Sequence, residues 1–168
     1  LLYTAISHNG PSAIRYPRGS GEGIPLDNRF QTLTIGTGEL LRNGKDILLL
    51  PVGNRVHPAM RAAKGLEKLG IDAAVINPRF IKPLDKELIC DLTAQTGRIV
   101  TIEDNARQGG FGSAVLELLS RCGISDIQSS LLAHPDRFIE HGPQKTLWRN
   151  NSINSVSITE AAMRLMNE

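Results

Sequence analysis

The chain has 168 residues, 40% of them hydrophobic and 21% charged, with a net charge of +2, long enough to bury a full core in one domain with an appendage. So small a charge, not gathered into a run of Lys and Arg, together with only 4% aromatic residues, excludes the basic, base-stacking surface of a nucleic-acid binder. No apolar run approaches the roughly 20 residues of a membrane-spanning helix and no secretory or transit signal opens the chain, so the expectation is a cytoplasmic protein with no membrane contact.

Taken in order, Leu1–Ser7 reads as the end of a helix already under way, with no cap before it. Asn9-Gly10-Pro11 turns the chain into a short strand, Ser12–Tyr16, broken by Pro17-Arg18-Gly19. This opening looks like the tail of a preceding domain. From Gly19 to about Gln31 the text is Gly, Pro and polar residues without periodicity, a linker. Thr32–Gly38 and Glu39–Arg42 suggest a small pair of edge strands.

From Asp46 the alternation is regular. Ile47–Val52 is a continuous apolar run suited to a strand buried on both faces. Pro58–Leu69 is helical, with Ala59, Ala62, Ala63 and Leu66 on one face and Gly70 behind it. Ile71–Asn77 is the next strand, and Pro78–Pro83 is extended because proline resists a helix interior. Asp85 caps a helix with Leu88, Ile89 and Leu92 inward, ended by Gly97. Arg98–Glu103 is a strand, Asp104–Gln108 a polar turn, and Gly109-Gly110-Phe111-Gly112 leads into a helix from Ser113, with Ser113 as its cap. Val115, Leu118, Leu119 and Cys122 fall on one face. Ile127–Ala133 is a further strand, Pro143–Trp148 a short helix, and Ser157 with Glu160 a capping box for a last helix burying Ile158, Ala161, Ala162 and Leu165. The order β-α-β-α-β-α-β predicts an α/β three-layer sandwich with a mainly parallel sheet.

Several motifs bear on chemistry. The loop Gly109–Gly112 lacks the third glycine of a dinucleotide fingerprint and the lysine of a phosphate-cradling loop, so its glycines are read as letting a helix pack close to the sheet. Glu103 and Asp104 stand at the carboxyl end of a parallel strand, where such sheets bind ligands; the reading preferred is a solvated turn supporting the next helix. His8, His57, His134 and His141 lack metal-ligand spacing and read as turn or surface residues, with His141 placed to line an interface. Cys90 and Cys122 read as reduced, packed thiols. Arg15 and Arg18 flank Tyr16-Pro17; an arginine held by a stiff proline suits a phosphate, and a salt bridge across a domain boundary is the equal alternative.

The segments GPSAIRYPRG, NPRFIKPLD, IEDNARQGGFGSAVLELL and HPDRFIEHG, in this order and spacing, closely resemble the C-terminal part of the 1-deoxy-D-xylulose-5-phosphate synthase family, which is transketolase-like. The IKPLD and GGFGS elements are shared with transketolases and with 2-oxoacid dehydrogenase beta subunits; YPRG and PDRFIEHG narrow the likeness to the synthase. The resemblance implies a homodimer that condenses pyruvate with glyceraldehyde 3-phosphate, losing CO2, on thiamine diphosphate held with Mg2+. It implies the end of a pyrimidine-binding-type domain over residues 1–20, a linker over 21–31 and a transketolase C-terminal-like domain over 32–168, with a transketolase C-terminal-domain-like fold. By the same resemblance, Arg18 matches the arginine that contacts the substrate phosphate. The catalytic, cofactor-binding and metal-binding residues fall in parts of the family that this chain does not match, so the chain alone is expected to be inactive and to bind no cofactor. Asn54-Arg55 and His134 depart from the family pattern, which favours smaller or apolar residues there. The competing readings are the matching part of another thiamine-diphosphate enzyme, or a free-standing association module.

Overall fold

The computed structural model describes residues 1–17, 19, 23 and 29–167. Five strands form one sheet: β1 (Glu39–Arg42), β2 (Ile47–Pro51), β3 (Ala73–Asn77), β4 (Arg98–Ala106) and β5 (Gln128–His134). Their order is β1-β3-β2-β4-β5, with β1 antiparallel to β3 and the other neighbours parallel. Among the described residues, six α-helices accompany them: α1 (Leu2–Ser7), α2 (Val56–Glu67), α3 (Lys86–Thr96), α4 (Phe111–Arg121), α5 (Gln144–Asn150) and α6 (Ser155–Asn167). The α/β three-layer sandwich with a mainly parallel sheet is the architecture expected.

The layers follow from the period-2 alternation of buried strands. Ile47, Leu49, Val75, Val100 and Ile102 face α2 and α6, and pack on Ala59, Ala63, Leu66, Ile158 and Ala162. Leu48, Leu50, Ala74, Ile76 and Ile99 face the other way, onto Ile89 and Leu92 of α3 and Val115 and Leu119 of α4. Every inward position predicted for α6 is buried. Because β2 leads to α2 on one face while β4 leads to α4 on the opposite face, the carboxyl ends of these adjacent strands form a topological switch point, the place where open α/β sheets leave a crevice.

Local signals hold at some ends and fail at others. Asp85 Oδ1 accepts from the Leu88 amide at 3.1 Å, the predicted cap of α3, and its Oδ2 accepts from the Gly38 amide at 2.8 Å. The expected strand Thr32–Gly38 is a turn instead: the Thr37 amide donates to the Thr34 carbonyl, and Gly36 has φ +82°. Only Glu39–Arg42 of that pair is a strand, and its partner is β3 rather than the preceding segment. Ser12–Tyr16 joins no strand among the described residues; a β-prone segment becomes a strand only where a neighbour completes its hydrogen bonds. The capping box at Ser157 is replaced by Asn154, whose Oδ1 accepts from the Val156 and Ser157 amides at 2.9 and 3.0 Å, so α6 starts three residues earlier.

Cys90 of α3 and Cys122 at the end of α4 form a disulfide, which corrects the reading of two separate reduced thiols. Sequence spacing carries no sign of it, because 32 positions separate the pair and only the packing of α3 beside α4 on one face of the sheet brings them together.

Candidate functional site at the carboxyl end of the sheet

The junction of β4 and α4 is built around a buried acid. Glu103 is 2% exposed. Its Oε2 accepts from the Phe111 amide and its Oε1 from the Gly112 amide, both at 2.8 Å. Two of the otherwise orphaned amides at the start of α4 are thereby satisfied by a carboxylate on the preceding strand, and a negative charge sits at the positive end of the helix. Glu103 supports the helix as expected, but from the interior rather than from a solvated turn. Ser113 is not the cap: its Oγ donates to the Arg107 carbonyl at 3.0 Å.

The glycines make this grip feasible. A Cβ on Gly110 would overlap the Ala106 carbonyl oxygen, and one on Gly112 would stand 2.7 Å from Thr101 Oγ1 and 3.0 Å from the Leu131 side chain. Only bare backbone lets the helix come this close to β4 and β5. The glycine loop therefore serves close packing, as the sequence suggests.

Asp104, expected in a polar turn, lies on β4, which continues to Ala106. Its Oδ1 is 2.7 Å from His134 Nε2, and its Oδ2 accepts from Trp148 Nε1 at 2.8 Å. An ionised carboxylate only accepts, so the facing His134 Nε2 carries a proton. The other ring nitrogen, Nδ1, is buried without a hydrogen-bond partner among the described residues. Behind the indole, the Arg55 guanidinium stacks 3.5 Å from the centre of the Trp148 ring. Arg55 is 1% exposed; its Nη1 donates to the Ile153 carbonyl at 3.1 Å and its Nε to Asn54 Oδ1 at 3.0 Å. Arg15 Nη2 donates to the Asp104 backbone carbonyl at 2.8 Å, tying the N-terminal segment to the same strand end.

Burial alone pushes the Asp104 carboxyl up. Hydrogen bonds from His134 and Trp148 and the positive charge of Arg55 more than offset this, and its pKa lies below the ordinary 3.8. A folded value under the unfolded one means that Asp104 contributes stability above about pH 4, lost as pH falls through the folded value. Asp104→Asn is therefore expected to melt at a lower temperature than the parent at pH 7, with the gap narrowing as pH falls from 7 to below about 4. Thermal unfolding followed by circular dichroism at both ends of that range checks this; a gap independent of pH would show that the carboxylate charge is not what stabilises the cluster.

Of the residues singled out in the sequence, Arg18 lies outside the described residues. Arg15 is engaged with backbone, His8 and His141 are exposed, and His57 is partly buried in the first turn of α2. His134 is the exception to the reading of surface histidines. The cluster Arg55–Trp148–Asp104–His134 was not foreseen as a unit. A signal for it existed: the two departures from the family pattern, at Arg55 and His134, follow β2 and end β5, the two neighbours of β4 in the sheet.

These carboxylates do not fit a site for a metal–diphosphate group. Glu103 is closed by two backbone amides and Asp104 by His134 and Trp148, and the described residues hold no group of three or more His, Cys, Asp or Glu side chains arranged for a metal.

Comparison with known proteins places these observations. The family profile "Transketolase, C-terminal domain" matches residues 36–158. A 1-deoxy-D-xylulose-5-phosphate synthase of Desulfotalea psychrophila is 60% identical over 99% of the chain, and one of Halothermothrix orenii is 49% identical over all of it. The chain spans 26% of the length of each, about a quarter. Among solved structures, one titled "Split gene transketolase, inactive beta4 tetramer" superposes with a TM-score of 0.75 at 30% identity, over 90% of this chain and 47% of that one. A transketolase mutant from Pichia stipitis has a TM-score of 0.53 at 18% identity over 79% of this chain and 18% of its own, and shares the fold.

Proposed function

Because the chain belongs to the transketolase C-terminal domain family, we propose that it is the C-terminal part of a 1-deoxy-D-xylulose-5-phosphate synthase. The observation that carries this reading is 60% identity to one such synthase over 99% of the chain, a match that runs through the YPRG and PDRFIEHG elements instead of resting on the shared fold.

In this reading the whole protein is a cytoplasmic homodimer that condenses pyruvate with glyceraldehyde 3-phosphate and releases CO2. Thiamine diphosphate and Mg2+ supply the carbanion chemistry and are held by other parts of the protein, in keeping with the engaged carboxylates described above. Residues 1–20 end the preceding pyrimidine-binding-type domain, 21–31 form the linker, and 32–168 make the C-terminal domain. The chain's own contributions are subunit and domain packing and one cation, Arg18, which binds the phosphate of the aldehyde. Arg15, three residues earlier in the sequence, donates to the Asp104 carbonyl near the end of β4.

The test uses the full-length protein. Synthase activity with pyruvate and glyceraldehyde 3-phosphate is expected, and Arg18→Ala should raise KM for the aldehyde about 10- to 100-fold, as the loss of a charge-assisted phosphate contact of about 1.5–3 kcal/mol implies. An unchanged KM would remove Arg18 from the site while leaving the reaction assignment standing. The solved neighbour at TM-score 0.75 is a transketolase, which favours ketol transfer between sugar phosphates as the second reading. Activity with a ketose phosphate donor, and none with pyruvate, would decide for it.

A further inference from the structure

A pocket of about 350 Å³ opens beside the switch point, on the α2/α6 side of the sheet. Its walls are Arg55, Pro58 and Arg61 around the start of α2, Lys145 and Trp148 on α5, and Asn154-Ser155 leading into α6. Among the described residues, no acidic side chain lines it. Arg61 and Lys145 are exposed and make no ion pair among the described residues. Arg55 differs from these two: its guanidinium lies on the Trp148 ring, and its charge is set against Asp104, which accepts from the edge of the same indole. Among the described residues, two cations therefore face the pocket without an opposing charge, over a wall whose own buried cation is already balanced, and such a cleft concentrates anions.

Polar donors complete the lining. The Asn154 side-chain Oδ1 is taken by the amides of Val156 and Ser157, which leaves the Asn154 NH2 group as a donor, and Ser155 adds a hydroxyl. A volume near the lower limit for small-molecule sites suits a compact ligand. Two cations with neutral donors between them match an anion of charge two or more with several acceptor oxygens, such as a phosphate group, better than a single carboxylate.

From this arrangement we infer that the pocket binds a small phosphate-bearing anion. Arg61 and Lys145 supply the charged contacts, Asn154 and Ser155 donate hydrogen bonds, and Trp148 forms the wall that Arg55 and Asp104 hold in place. The inference uses none of the residues given a role in the proposed reaction, so each can fail without the other.

Trp148 is the one tryptophan of the chain, so its fluorescence reports on the pocket directly. Titration with pyrophosphate at constant, low ionic strength is expected to change the emission saturably, with half-saturation at or below about 1 mM. Inorganic phosphate should bind more weakly, and raising the salt should weaken both. Arg61→Ala and Lys145→Ala are each expected to weaken pyrophosphate about tenfold or more without moving the thermal unfolding midpoint. Calorimetry on the same samples covers binding that leaves the indole undisturbed. Absence of both heat and a saturable emission change at 10-fold higher pyrophosphate, about 10 mM, overturns the inference. So does binding that survives in the Arg61→Ala/Lys145→Ala double variant, and so does succinate binding as tightly as pyrophosphate, which would remove the phosphate assignment.

Discussion

Replacing Glu103 by alanine is expected to destabilise the chain by about 3–5 kcal/mol. The change leaves the Phe111 and Gly112 amides buried with no acceptor, each costing about 1–3 kcal/mol, and removes the negative charge at the start of α4, worth a further few tenths to 1 kcal/mol. Relief of the carboxylate's own desolvation offsets part of that sum. Glu103→Gln keeps the volume but offers one acceptor oxygen where two were used, and its NH2 faces the second amide, so about half of the loss should remain. Urea unfolding of the parent and both variants gives the comparison through the shift in midpoint at unchanged slope. A loss under about 1 kcal/mol for Glu103→Ala would mean that the helix start finds another acceptor. Water has little room to serve, since Gly110 and Phe111 are buried and Gly112 packs against Thr101 and Leu131.

Arg55→Ala is expected to cost about 3 kcal/mol. The side chain is among the largest fully buried ones, so truncation opens a cavity beside Trp148, in the range of about 2–5 kcal/mol seen for large-to-alanine changes in cores. It also orphans the Ile153 carbonyl, strips the cation from the indole face, and leaves Asp104 with His134 and Trp148 but without the third positive influence. Arg55→Met separates packing from charge. The methionine refills most of the cavity, so a variant that recovers more than half of the loss shows that volume dominates; one as unstable as the alanine variant shows that the guanidinium's hydrogen bonds do. Thermal or urea unfolding reads both, and a double-mutant cycle with Trp148→Phe isolates the stacking contribution. Stability unchanged by Arg55→Ala would contradict the burial and contacts described.

The two effects meet at one place. Glu103 and Asp104 are consecutive on β4, and because side chains alternate across a strand they serve opposite sides of the sheet. Glu103 holds the amides that begin α4, while Asp104 reaches His134 at the end of β5 and Trp148 on α5. One strand end thus fixes the helix on one face and the cationic wall of the pocket beside Arg55 on the other.

The sequence by itself determined the layered α/β architecture, the parallel strands and the inward faces of α2, α3, α4 and α6, because those follow from apolar periodicity that a one-residue slip would destroy. It also determined the Asp85 cap and the close-packing use of the glycine loop, both of which depend on residues near one another in the chain, and its in-order motifs pointed to the family. Tertiary structure alone decided which polar groups meet. The partners of Asp104 lie 30 and 44 positions away and those of Cys90 and Arg55 lie 32 and 98 away, distances over which no local pattern carries a signal. It also decided that Ser12–Tyr16 joins no sheet among the described residues and that Asn154, not Ser157, caps the start of α6. A strand needs a neighbour for its hydrogen bonds and a helix start is set by whichever acceptor the fold delivers to its free amides, and both are properties of the assembled chain.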